Sequence, residues 1–221
     1  MVPAISEVHL PDILQKSGHQ IAIANSREPE TLTDIAEKTG TKPTTAEKAA
    51  KAKDLVIIAI PQKAMVNLPI DILAAPKAIV VDTGNYYPSR DGEITEIVNG
   101  STDSEWGAEV FGHPIIKAFN NIVAPSLTSK ATPPGDANRI ALSVAGDDAE
   151  QKQIVMKLID EIGFDAIDGG LLSESWRQQP GEPTYCQDLE KENLKAALQK
   201  ANIAERAGNL ASADEMARPY L

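Results

Sequence analysis

The chain is poor in most of the features that announce a specialised protein. Its single cysteine, Cys186, has no partner for an internal disulfide, so nothing points to an oxidising compartment. No cluster of Lys and Arg offers a phosphate track, and the net charge is −11, which argues against a nucleic-acid partner. No apolar run approaches the ~20 residues that span a bilayer. The opening Met1-Val2-Pro3-Ala4 is neither basic nor apolar enough for a signal peptide, so a cytoplasmic location without a membrane partner is expected. The three histidines, His9, His19 and His113, stand in no Cys/His/Asp spacing that makes a metal site. Cys186 lacks an evident basic neighbour and reads as structural or incidental.

What remains is an ordinary soluble composition of 221 residues, 42% hydrophobic and 24% charged. The organising stretch is Ile21-Ala22-Ile23-Ala24, a short apolar run that ends abruptly in Asn25-Ser26-Arg27. Pro29 then sits at a first helical turn, and Leu32, Ile35 and Ala36 keep a 3.6-residue period up to Gly40. In a doubly wound α/β domain the end of the second strand meets the adenine ribose of a dinucleotide. A hydroxyl and a fixed cation there, in place of an acid, suit a 2′-phosphate and favour NADP over NAD. The alternative at this point is a plain strand end with a solvated arginine.

Further apolar runs follow at residues 54–61, 78–82, 113–118 and 139–145, with a short one at 164–167. Runs apolar on both faces belong in a parallel sheet covered by helices on both sides. The helical period recurs before Gly18, over Thr45 to Ala52, over Gln151 to Ile162, and in a C-terminal pair at 188–207 and 211–217. Met65 to Leu73 is a further covering segment interrupted by Pro69. The fold class is therefore α/β: a Rossmann-like, doubly wound, mostly parallel sheet with a small helical C-terminal part. Thr132 to Ala137, with two prolines and a glycine, divides residues 1–130, the cofactor-binding part, from residues 138–221, the substrate or dimerisation part.

One expected feature is missing. Such a sheet begins with a strand and a G-x-G-x-x-G turn that opens the first helix. Counted back from Gly18, the three glycine positions fall on Val2, Ala4 and Glu7. Side chains stand where backbone must approach a pyrophosphate, and Glu7 adds a negative charge at a helix start meant for an anion. The first strand would lie ahead of Met1, which makes the fold N-terminally incomplete.

From Ile21 onward the chain resembles the NADP-dependent oxidoreductases related to the reductase of the 8-hydroxy-5-deazaflavin coenzyme. The resemblance rests on Ile23 to Arg27, Val56 to Pro61, Val81 to Tyr86 and Ile116 to Asn120, followed by Ser143 to Asp147 and Asp168 to Leu172. It implies that Ser26 and Arg27, helped by Thr31, hold the 2′-phosphate of NADP(H). It also implies that Ile60, Pro61 and Ala64 line the cofactor, with Asn85 and the Lys117-Ala118-Phe119-Asn120 turn at the nicotinamide end. Pro61 and Asn85 also read as a strand stop and a turn cap, and Lys117 as a solvated strand-end lysine. Separately, Trp176 and Arg177 combine a flat apolar face with a bidentate donor, which suits a planar anionic second substrate; the alternative is a packed Trp with an exposed Arg.

Hydride transfer between NADP(H) and a flavin-like or other small acceptor needs two positioned rings more than acid–base groups, so the lack of a catalytic dyad fits an oxidoreductase. The competing expectation is a catalytically impaired relative acting as an interaction or regulatory protein, motivated by the absent glycine turn. A homodimer is expected to cover the apolar face of the C-terminal helices.

Overall fold

The computed structural model describes residues 8–51, 54–68 and 78–221. The chain opens with α1 (His9–Lys16), whose Leu10 and Leu14 face inward and which stops at Gly18, held at φ 94°. Then come β1 (Ala22–Ile23), a 3-10 turn at Pro29–Leu32 running into α2 (Thr33–Thr39), β2 (Lys42–Pro43) and α3 (Ala46–Ala50). Gly40 takes the left-handed conformation that closes α2, and Thr45 caps α3 by accepting from the Lys48 amide. The central part holds β3 (Leu55–Ile58), α4 (Gln62–Met65), β4 (Ile79–Asp82), α5 (Pro88–Asp91), α6 (Thr95–Val98), α7 (Asp103–Phe111), β5 (Ile115–Lys117) and α8 (Ala124–Ser129). The C-terminal part holds β6 (Ala141–Ala145), α9 (Ala149–Glu161), β7 (Asp165–Gly170), a 3-10 segment at Leu172–Gln178, α10 (Lys191–Lys200) and α11 (Arg206–Ala217).

The expected α/β architecture is present. β3, β4, β5, β6 and β7 form one sheet in that order, parallel except where β5 meets β6 antiparallel through Lys117 and Ala145. The sheet thus continues from β5 into β6 across the prolyl stretch at 133–134. Alternation along the strands feeds two cores. Val81 and Ile116 point to the face covered by α1, α8 and α9, where Leu10, Leu14, Leu127, Val155, Ile159 and Phe164 pack. Val80 and Ile115 point to the other face, against Met65, Ile97, Trp106 and Phe111. Both faces are dry, which is why these strands read as unbroken apolar runs.

Several elements were not legible as runs or periods. The β2 strand is two residues long, and α7 is set by a capping box in which Thr102 and Glu105 satisfy each other's amides. The predicted covering segment at Met65 to Leu73 starts in α4, and the remainder beyond residue 68 lies outside the described residues, as do Val2, Ala4 and Glu7. No helix among the described residues is long and apolar enough to cross a membrane.

β1 and β2 stand apart as a two-stranded parallel sheet. Ile21 beside β1 and Leu55 and Ile57 of β3 pack against the same core cluster as Leu10 and Leu14 of α1.

Candidate functional site

In open α/β sheets the ligand crevice lies beyond the carboxyl ends of the strands. Here that rim collects most of the polar residues buried in the molecule. At the end of β1, Asn25 organises the turn: its Oδ1 accepts from the Arg27 amide at 2.8 Å, and its Nδ2 donates to the Thr31 hydroxyl at 3.1 Å. Thr31 in turn donates to the Glu28 carbonyl at 2.7 Å. Ser26 and Arg27 are left exposed at the tip, and among the described residues the Arg27 guanidinium has no partner.

At the end of β3, Ile60, Pro61 and Ala64 are half-buried around the start of α4. Gln62 beside them is wholly buried, and among the described residues its Nε2 has no hydrogen-bond partner. That nitrogen faces Gly84 in the loop after β4; a Cβ added there would lie 2.7 Å from it and 2.9 Å from Asp82 Oδ1. Glycine is needed at this point for close approach. Arg90, reaching back from α5, donates to Gln62 Oε1 and to the Asn85 carbonyl, and its guanidinium stacks over the Tyr87 ring at 5.5 Å.

The ends of β4 and β5 are joined by side-chain amides. Asn120 Nδ2 donates to Asn85 Oδ1 at 3.0 Å and to the Gln178 carbonyl at 2.7 Å. Gln178 Nε2 returns a bond to Asn120 Oδ1 at 2.9 Å. The turn that delivers Asn120 passes through Phe119 at φ 65°, a left-handed conformation that a bulky residue adopts only when packing imposes it. Phe119 is fully buried, so packing does impose it.

Beneath these amides lies a charged cluster closed to solvent. Lys117 Nζ is 2.9 Å from Asp82 Oδ2, 3.2 Å from Asp103 Oδ1 and 2.6 Å from the Gly84 carbonyl, and all three charged side chains are fully buried. Ser104 donates to Asp82, Gln179 Nε2 to Asp103, and the Tyr86 amide to Asp103. Burial pushes the Lys117 pKa down, but the charges of Asp103 and Asp82 outweigh it and hold the amine above the ordinary lysine range. Lys117 is therefore a buried cation that clamps the Gly84-Asn85 loop. The solvated reading of this lysine is corrected: its strand end is roofed by the segment at Leu172–Gln178, which excludes water.

The sequence-predicted residues divide into groups. Ser26, Arg27 and Thr31 share one turn, while Ile60, Pro61, Ala64 and Asn85 belong to the adjoining strand ends of β3 and β4. Ala118 lies on the same rim, but its side chain is buried in the core and its amide donates to the Asp82 carbonyl. Trp176 is half-buried, and Arg177 Nη2 is bound to Glu174 Oε1 and the Gly169 carbonyl, each at 2.9 Å. Arg177 lines a cavity of about 390 Å³ on the β7 edge with Lys152, Asp168 and Lys195. It is their neighbours Gln178 and Gln179 that reach Asn120 and Asp103.

A second cavity of about 370 Å³ lies behind the Asn85 loop, walled by Tyr87, Glu182, Tyr185 and Met216. The Tyr87 and Tyr185 hydroxyls are 2.8 Å apart, and burial raises both above the ordinary tyrosine range, so both stay neutral. Burial pushes the neighbouring Cys186 thiol up to about 11. Sequence reasoning missed Asp82, Asp103, Gln62 and Arg90. The available signals were an acid ending the all-apolar strand at 78–82 and the Thr102 to Glu105 capping box that marks where Asp103 begins a helix.

Residues 10–86 match the family described as NADP oxidoreductase coenzyme F420-dependent. The chain is 40% identical over 80 residues to putative protein YjhV of Escherichia coli (strain K12), a stretch covering 36% of this chain and 58% of that protein. The solved structure of hypothetical protein SMa0349 from Sinorhizobium meliloti superposes with a TM-score of 0.74 at 27% identity, over 85% of this chain and 91% of that one. A putative F420-dependent NADP-reductase from Arthrobacter sp. FB24 shares the fold with a TM-score of 0.65 at 20% identity, over 79% and 84% of the two chains. The stretch that matches the family model bears Ser26, Arg27, Thr31, Ile60, Pro61, Ala64 and Asn85.

Proposed function

We propose that this protein is an NADP(H)-dependent oxidoreductase that passes hydride between the nicotinamide and a flavin-like, deazaflavin or other small acceptor. The observation that carries the reading is the rim itself. One end offers an exposed Arg27, unpartnered among the described residues, on a turn held by Asn25, and the other a loop clamped by Lys117 and linked through Asn85 and Asn120. Ser26 and Arg27 would hold the 2′-phosphate, with Thr31 fixing the turn rather than touching the ligand, since its hydroxyl is already engaged on both sides. Ile60, Pro61 and Ala64 would flank the cofactor. Gly84, bare of a side chain, and the orphan Nε2 of Gln62 leave a donor-lined approach beside Asn85.

The bound cofactor supplies the hydride; the protein's residues orient it and exclude water. No residue is assigned to move a proton. The neutral Tyr87 and Tyr185 hydroxyls and the apolar Met216 give the cavity behind the Asn85 loop the mixed lining of a small-molecule site, and we assign it to the acceptor in preference to the Trp176 and Arg177 surface. The cytoplasm and a homodimer through the C-terminal helices belong to the same proposal.

Calorimetric titration with NADPH tests the reading, with NADH and Arg27→Ala as controls. A charge-assisted bond to phosphate is worth about 1.5–3 kcal/mol, so Arg27→Ala should weaken NADPH roughly 10- to 150-fold and leave NADH unchanged. Equal losses for both nucleotides would remove Arg27 from the 2′-phosphate. The absence of a G-x-G-x-x-G turn from the sequence favours the second reading, a reductase relative that works through a partner; absence of NADPH binding at millimolar concentration would overturn the first reading.

A further inference from the structure

Four acidic residues among the described ones are buried: Asp82, Asp103, Asp214 and Glu182. Asp82 and Asp103 share Lys117. Asp214 accepts from the Ser89 amide and hydroxyl and has Arg218 at 3.9 Å. Glu182 differs from the other three. Its Oε1 accepts one long bond, from Asn209 Nδ2 at 3.3 Å, and among the described residues its Oε2 has no hydrogen-bond partner and no cation pairs with it. Arg206 favours its charge from a distance and Glu205 opposes it, but the Arg206 guanidinium itself is engaged by the Gly100 and Ser101 carbonyls. Desolvation is the largest influence and raises the Glu182 pKa above the ordinary carboxylate value. A buried charge left in this state is costly until something pairs with it.

The chain brings Glu182 to a cavity by a close approach. Gly181 sits at φ 87°, and a Cβ there would collide with the Asn209 carbonyl, so glycine lets this segment lie against α11. The Tyr185 amide donates to the Glu182 carbonyl at 2.9 Å, which places Glu182 and Tyr185 at the two ends of one turn. On α11, Asn209, Ala213 and Met216 recur at i, i+4 and i+7 and so share a face. Asn209 bonds Glu182, while Ala213 and Met216 line the cavity of about 370 Å³ together with Glu182, Tyr87 and Tyr185. Met216 is 70% exposed, which leaves the cavity open on that side. The cation on the tyrosine side, Arg90, is already neutralised by two bonds to Asp91.

We propose that this cavity binds a small organic cation whose ammonium group pairs with Oε2 of Glu182 beside the Tyr87 and Tyr185 rings. The ligand class follows from the lining. Glu182 supplies a carboxylate oxygen with capacity to spare, and the aromatic rings and the Met216 thioether suit the weakly hydrated carbon flank of an alkylammonium. A hard divalent ion asks for about six to eight oxygen ligands, against one carboxylate and two neutral phenols here. A carboxylate or phosphate ligand would meet the like charge of Glu182. Pairing with a ligand cation would offset the desolvation that Glu182 bears in the free protein. The net charge of −11 raises the local concentration of cations around the chain. The cation site stands on Glu182 and its cavity; only the further step, that the hydride acceptor is what carries the ammonium group, rests on the assignment of this cavity to the acceptor.

NMR of the 221-residue protein carrying isotope-labelled tyrosine is the test, since Tyr86, Tyr87, Tyr185 and Tyr220 give few signals. The probe is benzylammonium, with benzyl alcohol and benzoate as its neutral and anionic counterparts. Benzylammonium should move the Tyr87 and Tyr185 ring signals saturably. Benzyl alcohol should bind roughly 10- to 150-fold more weakly, the worth of a hydrogen bond to a charged group, and benzoate should leave the signals in place. Glu182→Gln keeps the shape, removes the charge and should bring benzylammonium down to the level of the alcohol. Three results overturn the proposal: no saturable movement at Tyr87 and Tyr185, equal affinity of the wild type for ammonium and alcohol, or undiminished benzylammonium binding by Glu182→Gln. The wild-type comparison decides the matter even where the variant fails to fold. Calorimetry with NADPH on the same protein separates the two readings. Benzylammonium bound without NADPH would uphold the cation site and end its role as an acceptor site. NADPH bound with no preference for the cation would end the cation site and leave the hydride-transfer reading standing.

Discussion

Replacing Lys117 by methionine is the most direct test of how the site is held. The side chain is fully buried with Asp82 and Asp103, and it also ties down the Gly84 carbonyl. Methionine keeps the volume and removes the charge, leaving two buried carboxylates within reach of one another and no cation. Breaking a buried ion pair by deleting one partner costs about 3–5 kcal/mol, because the remaining charge stays desolvated. For a chain of this size each kcal/mol moves Tm by roughly 2–4 °C, so a loss of about 6–20 °C is expected. Circular dichroism in urea and on heating reads both quantities. The double variant Lys117→Met/Asp103→Asn should recover part of the loss, since it removes one of the stranded charges. The raised pKa sets the pH dependence. An amine held above its unfolded value contributes fully below that value, and the contribution disappears as pH rises through the folded value. Wild-type stability should accordingly fall in strongly alkaline solution, and the Lys117→Met protein should lack that particular loss. A shift below about 1 kcal/mol for Lys117→Met would refute the clamp and indicate a cluster hydrated enough to relax.

Three further outcomes follow from the structure. Gly84→Ala forces a methyl to within 3 Å of Gln62 Nε2 and Asp82 Oδ1, and overpacking of this kind should cost about 1–3 kcal/mol in urea unfolding while weakening NADPH binding. Thr102→Ala removes one half of the capping box on α7 and should cost about 1 kcal/mol, read by the same unfolding curves, with little effect on binding. Cys186, half-buried with its thiol pushed up to about 11, should react slowly with a thiol reagent at pH 8 and fast once the protein is unfolded; fast reaction in the native state would contradict its burial.

Much of the fold was written locally. The apolar runs at 54–61, 78–82 and 139–145 became β3, β4 and β6 because a strand buried on both faces is composed mostly of apolar residues. Gly18 and Gly40 end their helices with positive φ, as their positions after periodic segments require. The rim was legible too, since Ser26, Arg27, Pro61 and Asn85 each follow the end of an apolar run. The short strand β2 and the helices α5 and α6 left no such trace, being too brief to show a period.

By itself, then, the sequence determined which segments are strands, that they pair mostly in parallel, and where their polar ends fall, because periodicity and chain breaks are local properties. Only the tertiary structure decided what those ends do. Lys117 read equally as a residue of the nicotinamide end or as a solvated strand end until Asp82 and Asp103, 35 and 14 positions earlier, closed around it. Asn85 and Asn120 became partners only through the adjacency of β4 and β5, and Gln178 outranked Arg177 because successive residues of a 3-10 turn point in different directions.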